Sequence, residues 1–214
     1  TEQSEFNQTW NLTNGYGLVK GNRFQTLFPE ENKTQATNSN LRSVVQMYDN
    51  DILGKYDEWI GLSPDASNPI HKSSPRRYFF KADANGVGAL YYGGAWAANT
   101  SSSAAPWLGD GWGALHEIGH GYQGHFMSKG MNSGEVWNNI YGVFYQYEKL
   151  GKEEADRTGW LYGQNKQATE QQILESILQE NPNYQAIGVR NQLLVLSNLI
   201  DKAGNEGFKN FYVK

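Results

Sequence analysis

Apolar residues recur at steps of three and four in five stretches of the chain, which is the spacing of one buried face of an α-helix. These stretches are residues 40–60, 112–123, 134–150, 169–180 and 186–203. Gly151, Asn181 and Gly204 follow the last three stretches and match the residues that commonly end helices. The Thr169 hydroxyl is expected to cap the fourth helix while Gln172 reaches back. The pattern therefore predicts a mainly helical second half.

Two short aromatic-rich runs interrupt this helical pattern in the first half. Residues 77–82 (RYFFKA) and 89–93 (ALYYG) are separated by a segment that contains Asn85-Gly86, a frequent turn pair. We predict that they form a strand pair or hairpin. The first 35 or so residues are polar and rich in turn signals, and no element is predicted there. A strand-containing half followed by a helical half predicts an α+β fold, which we expect to form a single domain over residues 1–214.

Composition narrows the possible chemistry more than it narrows the fold. The 214 residues include no cysteine, which excludes a disulfide scaffold, a thiolate metal site and a thiol nucleophile. Any metal must then be held by histidine and carboxylate groups. The net charge is −4 and the basic residues are scattered, so we expect no nucleic-acid partner. No stretch approaches the roughly 18 apolar residues of a membrane span, and we expect a monomer.

The chain is rich in aromatic residues, with seven Trp and thirteen Tyr. Such rings either fill the core or stay partly exposed, where they can bind sugar or peptide. Tyr91, Tyr92 and Trp96 lie in and beside the second predicted strand. We predict these three residues as substrate-binding residues, with packing in the core as the alternative for each.

Three of the four histidines fall within ten residues, at His116, His120 and His125. Residues 116–120 (HEIGH) have the form HExxH. Side chains four apart on a helix lie about 40° apart around its axis, so both imidazoles can face one metal ion. Two imidazoles suit Zn²⁺, and Glu117 can take a proton from water activated by the metal and pass it to a leaving amine. The motif predicts peptide hydrolysis; the alternative is a helix whose histidines hydrogen-bond in the core.

A zinc peptidase of this kind needs a third protein ligand, and we predict Glu135. It opens the next predicted helix, fifteen residues after His120, and a glycine-containing loop could return its carboxylate to the metal. The alternative is a helix-capping role, because Asn132 and Glu135 have the spacing of a capping box. The metzincin pattern would need a third histidine at position 126, which holds Phe126. We expect His125 to lie near the ligands or the substrate cleft, or to be exposed on the loop.

Further residues around the motif resemble one family. Residues 116–123 (HEIGHGYQ) followed by residues 134–141 (GEVWNNIY) resemble the enhancin-like zinc metallopeptidases, which include insect-virus enhancins and bacterial mucin-degrading glycopeptidases. Gln123 and Asn139 both match the family pattern. The resemblance is strongest over residues 91–147 and continues more loosely to the aromatic residues at 207–212.

The resemblance implies a zincin-like fold of the gluzincin type. Residues 89–93 precede the motif, where zinc peptidases have the edge strand that pairs with an extended substrate, so we expect an edge strand there. The resemblance implies one Zn²⁺ held by His116, His120 and Glu135, Glu117 as general base, and Asn139 behind the ligands. It also implies O-glycosylated, mucin-like protein as substrate. We expect the catalytic part of a larger secreted or cell-surface protein. The alternatives are a glycan-binding adhesion module without turnover, against which the intact Glu117 argues, and an HExxH peptidase with no glycan requirement.

Overall fold

The computed structural model describes residues 2–124, 127, 132–163 and 165–214. In these residues the chain forms nine α-helices and one five-stranded sheet, and it divides into two compact units. The first unit comprises Thr1–Glu58 and Leu62–Gly121, and the second comprises Trp59–Gly61 and Tyr122–Lys214. A mixed α+β structure with a mainly helical C-terminal half agrees with the sequence prediction.

All five strands precede the HExxH segment. In chain order the elements up to that segment are α1 (Glu2–Asn11), β1 (Gly17–Lys20), β2 (Phe24–Phe28), α2 (Lys33–Asn38), α3 (Leu41–Gln46), α4 (Leu53–Trp59), β3 (Tyr78–Ala82), β4 (Leu90–Tyr92), β5 (Trp96–Asn99) and α5 (Trp112–His120). A π-helical segment, Met47–Ile52, joins α3 to α4, and short 3₁₀ turns occur at Glu30–Asn32, Pro69–His71 and Ala105–Leu108.

The sheet has the strand order β1-β2-β3-β5-β4. Strand β3 is parallel to β2 and β5, whereas β1 and β4 are antiparallel to their neighbours. The two predicted strands are present as β3 and β4, but the prediction that they pair with each other is wrong, because β5 lies between them. Strand β5 contains two alanines and no β-branched residue, so its composition indicates a strand only weakly. Strand β4 is an edge strand, as expected.

Aromatic packing forms the core of the first unit. The ring of Phe80 on β3 stacks on Trp107 with centroids 4.7 Å apart, and it also contacts Tyr48 at 5.1 Å. The Tyr48 hydroxyl donates to the carbonyl of Gly109, just before α5, over 2.9 Å. The start of α5 is therefore fixed to the same cluster that holds the centre of the sheet.

The second unit is helical. It contains α6 (Gly134–Leu150), α7 (Lys152–Thr158), α8 (Lys166–Glu180), a 3₁₀ turn (Tyr184–Ala186) and α9 (Val189–Val213). The bounds of α6 match the prediction, and Gly151 ends it with a φ of 80°. Helix α8 begins earlier than predicted because the Asn165 side chain, rather than that of Thr169, accepts from the backbone of Ala168. The Thr169 hydroxyl donates instead to the carbonyl of Tyr162.

Helix α9 is interrupted at Gly204, the predicted stop, and a further helical segment follows. Gly204 has φ 73° and ψ 169°, so the chain leaves helical geometry there and then resumes it as far as Val213. The resumed segment brings Phe208 into the core, where its ring lies 5.4 Å from Phe144 of α6. Among the described residues, no helix has both the length and the apolar character that crossing a membrane requires.

Candidate metal and active site

The HExxH residues lie on α5 within the first unit. His116 and His120 are one turn apart, their ring centroids are 4.8 Å from each other, and the rings are nearly perpendicular. Both imidazoles are half-buried. The side chain of Glu117 is buried, and its Oε2 lies 4.0 Å from Nε2 of His120. The structure thus brings the two imidazoles and the carboxylate of the motif together on one short helix.

The opposite face of α5 anchors it in the first unit. Ala114, Leu115 and Ile118 are buried, and the Tyr56 hydroxyl donates to the carbonyl of Leu115 over 3.4 Å. A Cβ added at Gly113 would lie 3.3 Å from the Leu90 side chain, so helix and edge strand approach closely here. Small and apolar residues of α5 therefore pack inward and leave the two histidines on the more open side.

Tyr92 of the edge strand supports one of the histidines. Its ring is nearly parallel to the imidazole of His120, with centroids 6.0 Å apart, and its hydroxyl donates to the carbonyl of Gly94. Burial raises the pKa of the Tyr92 hydroxyl above its ordinary value. Tyr92 is therefore placed next to a predicted ligand, on the face of the sheet that packs against α5.

Tyr91 and Trp96 lie on the other face of the sheet. Successive side chains of a strand point to opposite faces, which separates Tyr91 from Tyr92. The Tyr91 and Trp96 rings contact each other at 5.1 Å, the Tyr91 hydroxyl donates to Asp83, and Nζ of Lys81 lies 4.4 Å from the Trp96 ring centroid. The hydrogen bond from Tyr91 is the main reason that the pKa of Asp83 is lowered. The three predicted substrate-binding residues thus do not form one group.

Tyr78 is a neighbour of the motif that the sequence analysis did not identify. A Cβ added at Gly121, directly after α5, would overlap the Tyr78 hydroxyl, so this position admits only glycine without movement. Burial is the main cause that raises the pKa of Tyr78. Tyr78 lay within a predicted strand, but the approach of its hydroxyl to Gly121 depends on packing between residues far apart in sequence.

Glu135 lies in the first turn of α6, in the second unit, with an exposed side chain. Ser133, and not Asn132 as in the alternative capping role, is the N-cap residue of this helix, and it makes no side-chain capping bond. The buried side chain of Asn139 donates through Nδ2 to the backbone carbonyl of Glu135 over 2.8 Å. Asn139 thus contacts the backbone of the predicted ligand.

Among the residues that the structure describes, His116, His120 and Glu135 are a group that could hold a metal ion. Each residue offers one ligand atom, an imidazole nitrogen or a carboxylate oxygen. Two histidines and one glutamate form a ligand set known from catalytic zinc sites, which keep a further position for water or substrate. The donor chemistry therefore fits Zn²⁺. His125 lies outside the described residues.

Comparisons with known proteins agree with the motif. A family model described as peptidase M60, enhancin and enhancin-like matches residues 1–214. The viral-enhancing factor of Pseudalatia unipuncta granulosis virus is 26% identical over 200 residues, which cover 91% of this chain and 22% of that protein. The factor of Heliothis armigera granulosis virus is 27% identical over 184 residues, or 84% of this chain and 20% of that protein. The chain therefore spans about a fifth of these relatives.

Solved structures with a similar fold are also known. The crystal structure of a functionally unknown conserved protein from Bacillus anthracis str. Ames matches with a TM-score of 0.74 at 17% identity, covering 98% of this chain and 43% of that one. A mutant of a functionally unknown conserved protein from the same source gives a TM-score of 0.75 at 16% identity, with the same coverage. At this identity the likeness concerns the fold alone.

Proposed function

Because the chain belongs to the peptidase M60, enhancin and enhancin-like family, we propose that it is a zinc-dependent endopeptidase that hydrolyses peptide bonds in O-glycosylated, mucin-like proteins. The observation that carries this proposal is the arrangement on α5. Two imidazoles face each other one helical turn apart, and the buried carboxylate of Glu117 lies beside His120. Family membership supports a peptidase, and this arrangement supplies the groups that such chemistry needs.

His116, His120 and Glu135 are the proposed zinc ligands. We propose that these residues belong to a single catalytic domain over residues 1–214. When bound, zinc would supply a Lewis acid that lowers the pKa of water and polarises a peptide carbonyl. The role of the three side chains is to hold the ion and to leave a position open for the reacting groups.

Glu117 is the proposed general base and acid. It follows His116 directly, so it projects to the side of the two imidazoles and is poorly placed to be a third ligand. Its buried carboxylate would accept a proton from the attacking water and donate it to the amine of the departing peptide. A water-poor environment strengthens the electrostatic contacts that this proton transfer uses.

The edge strand β4 is the proposed binding site for the peptide backbone. Within the described part of the chain β4 pairs with β5 alone, and an extended substrate can add to such an edge through main-chain hydrogen bonds. Tyr92 lies on this strand and faces α5. Of the three predicted substrate-binding residues, it is the one that we propose lies beside the reacting groups.

The glycoprotein substrate is the most specific part of the proposal. It is supported by the likeness of the chain to viral-enhancing factors and by the family to which it belongs. Mucin-like substrates lie outside cells, so we propose that the protein acts after secretion or at the cell surface. We also propose that it acts as a monomer.

One experiment separates this proposal from its alternatives. Zinc-loaded protein, a chelated sample and the Glu117→Gln variant are incubated with an O-glycosylated mucin and with the same polypeptide after deglycosylation. We expect the loaded wild type to cleave only the glycosylated form. General acid–base catalysis contributes about 10²–10⁴-fold, so Glu117→Gln should lose activity by that factor. Glu58→Gln, the same change at an exposed acid of α4, is the matched control.

Each result has a distinct meaning. Cleavage of neither substrate by the loaded wild type, together with binding to the glycosylated one, would identify a glycan-binding module instead of an enzyme. Equal cleavage of both substrates would remove the glycan requirement and leave a general HExxH peptidase. Full activity in Glu117→Gln would show that another residue is the base.

A further inference from the structure

A sequence of hydrogen bonds in the second unit runs through three aromatic side chains. The indole Nε1 of Trp137 donates to the hydroxyl oxygen of Tyr212 over 2.6 Å, and the hydroxyls of Tyr212 and Tyr141 lie 2.7 Å apart. The Tyr141 hydroxyl donates to the backbone carbonyl of Tyr122 over 3.0 Å. Three hydrogen bonds in series therefore connect α9, α6 and the backbone that follows Gly121.

The direction of these bonds follows from the number of protons. A tyrosine hydroxyl has one proton, and Tyr141 gives its proton to the carbonyl of Tyr122. The proton between the two hydroxyls must then come from Tyr212, which accepts from Trp137. The three bonds then run in the same direction, and hydrogen bonds in such a series strengthen one another by mutual polarisation.

The rings around these hydrogen bonds are packed against a common residue. The Phe208 ring lies 6.1 Å from Trp137, 6.2 Å from Tyr141 and 5.4 Å from Tyr212, measured between centroids. Burial raises the pKa of the Tyr212 hydroxyl to about 12, so this hydroxyl keeps its proton at neutral pH. Both the position and the protonation of Tyr212 therefore suit a permanent hydrogen-bond donor.

These hydrogen bonds involve the part of the second unit that contains the predicted ligand Glu135. Trp137 comes two residues after Glu135, and Tyr141 lies one further turn along α6. The Gln123 side chain donates to the carbonyl of Gly134, so the same backbone segment that receives the bond from Tyr141 also holds the start of α6. Tyr212 thus contacts the first turns of α6 although it lies more than seventy positions later in the chain.

We propose that Tyr212 is a positioning residue for Glu135, because its hydroxyl fixes the first two turns of α6 to the backbone that follows the HExxH helix. The proposal rests on the proposed function, in which Glu135 binds zinc. A metal ligand must be held within about 0.5 Å of its productive position, and rigid support of the element that carries it provides this. Tyr212 contacts neither the metal nor the substrate in this role.

The test is the zinc affinity of the Tyr212→Phe variant, measured by competition with a chromophoric chelator. Residues that directly contact a ligand side chain contribute about 10–100-fold to metal affinity. Because Tyr212 acts through α6, we expect a smaller loss, of about 3–10-fold. On a glycosylated mucin fragment kcat should fall while KM stays unchanged, since β4 is not altered.

Tyr147→Phe is the matched control, because Tyr147 is also on α6 and its hydroxyl donates to Asp156 over 3.3 Å. It should bind zinc like the wild type. The Tyr141→Phe/Tyr212→Phe double variant should lose no more affinity than Tyr141→Phe alone, since both substitutions break the same series. If Tyr212→Phe does not fold, Trp137→Phe removes one donor of the series and should show the same loss.

The possible failures are distinguishable. A wild type that binds no zinc overturns the proposed function and this inference together. A wild type that binds zinc, with Tyr212→Phe binding equally well, overturns this inference and leaves the proposed function intact. Equal losses in Tyr212→Phe and Tyr147→Phe would also overturn it, because they would indicate a general loosening of α6.

Discussion

Helices α5 and α6 carry the proposed ligands in different ways. Helix α5 has nine residues, and its two histidines and buried glutamate are set by spacing within one short segment. Helix α6 has seventeen residues, and its single proposed ligand is an exposed glutamate in the first turn. The first arrangement needs only a helix, whereas the position of Glu135 depends on contacts from Asn139 and from residues elsewhere in the second unit.

One part of a metal site can therefore be determined by local sequence while another part depends on tertiary structure. A change in α5 should therefore abolish the site directly. A change around α6 should weaken it by degrees, because several contacts share the task of holding one carboxylate.

The largest effect is expected for His120→Ala. This variant removes one of two imidazoles that share a helix face, and α5 contains no third histidine. Zinc affinity should fall by more than about 100-fold, above the range for residues that only support a ligand, and activity should fall to background. Equilibrium dialysis with zinc measures the first effect. Wild-type affinity in His120→Ala would contradict the assignment of α5.

The next effect is expected for Glu135→Ala. Glu135 is itself a proposed ligand, so its loss should lower zinc affinity by at least about 10–100-fold, the range for residues that only support a ligand. The loss should be smaller than in His120→Ala, because both histidines stay in place. Glu153→Ala is the matched control, since Glu153 is an acid in the first turn of α7. Zinc competition on the two variants makes the comparison. Unchanged zinc affinity in Glu135→Ala would mean that α6 does not provide a ligand.

A smaller effect is expected for Tyr92→Ala, which we compare with Tyr91→Ala on the opposite face of the edge strand. Tyr92→Ala removes the ring beside His120 and should raise KM by about 2–10-fold, which is the range of one aromatic contact. Tyr91→Ala changes the opposite face and should leave KM unchanged. Steady-state kinetics on a mucin fragment compares them. Equal increases in KM would contradict the separation of the two faces.

The smallest effect concerns alkaline pH. The pKa of Tyr212 is raised to about 12 in the folded protein, against 10.0 as the ordinary value. The unfolded chain therefore loses this proton first, and the stability that the neutral hydroxyl provides is present below pH 10 and is lost as the pH rises toward 12. Thermal unfolding of the chelated protein should show a shallower decline between these pH values in Tyr212→Phe than in the wild type. Identical declines would contradict this contribution.

The sequence predicts those features of the structure that depend on residues close together in the chain. The bounds of α6, the HExxH helix, the two aromatic strands and the edge position of β4 all follow from periodicity or from the motif, and the family model confirms the resemblance found in residues 116–141. Helices that end at Gly151 and Asn181 were also predicted, because these residues end helices through their own backbone conformation.

Parts that depend on distant residues were missed. Strand β5 separates β3 from β4, and nothing in its short alanine-containing sequence indicates the partners on either side. Trp96 shares a face with Tyr91 because β5 pairs with β4 in this register, whereas the separation of Tyr91 from Tyr92 follows from local alternation along the strand. Tyr78 and Tyr212 were not identified because each acts through a contact with a residue more than forty positions away. No fixed spacing in the sequence identifies such pairs.

The most direct test of the central claim is anomalous diffraction at the zinc absorption edge from crystals of the zinc-loaded protein. We predict one anomalous peak per chain, with an imidazole nitrogen of His116, an imidazole nitrogen of His120 and a carboxylate oxygen of Glu135 at about 2.0–2.2 Å from it. A peak bound by other residues, or no peak at these three side chains in crystals that contain zinc, would contradict it.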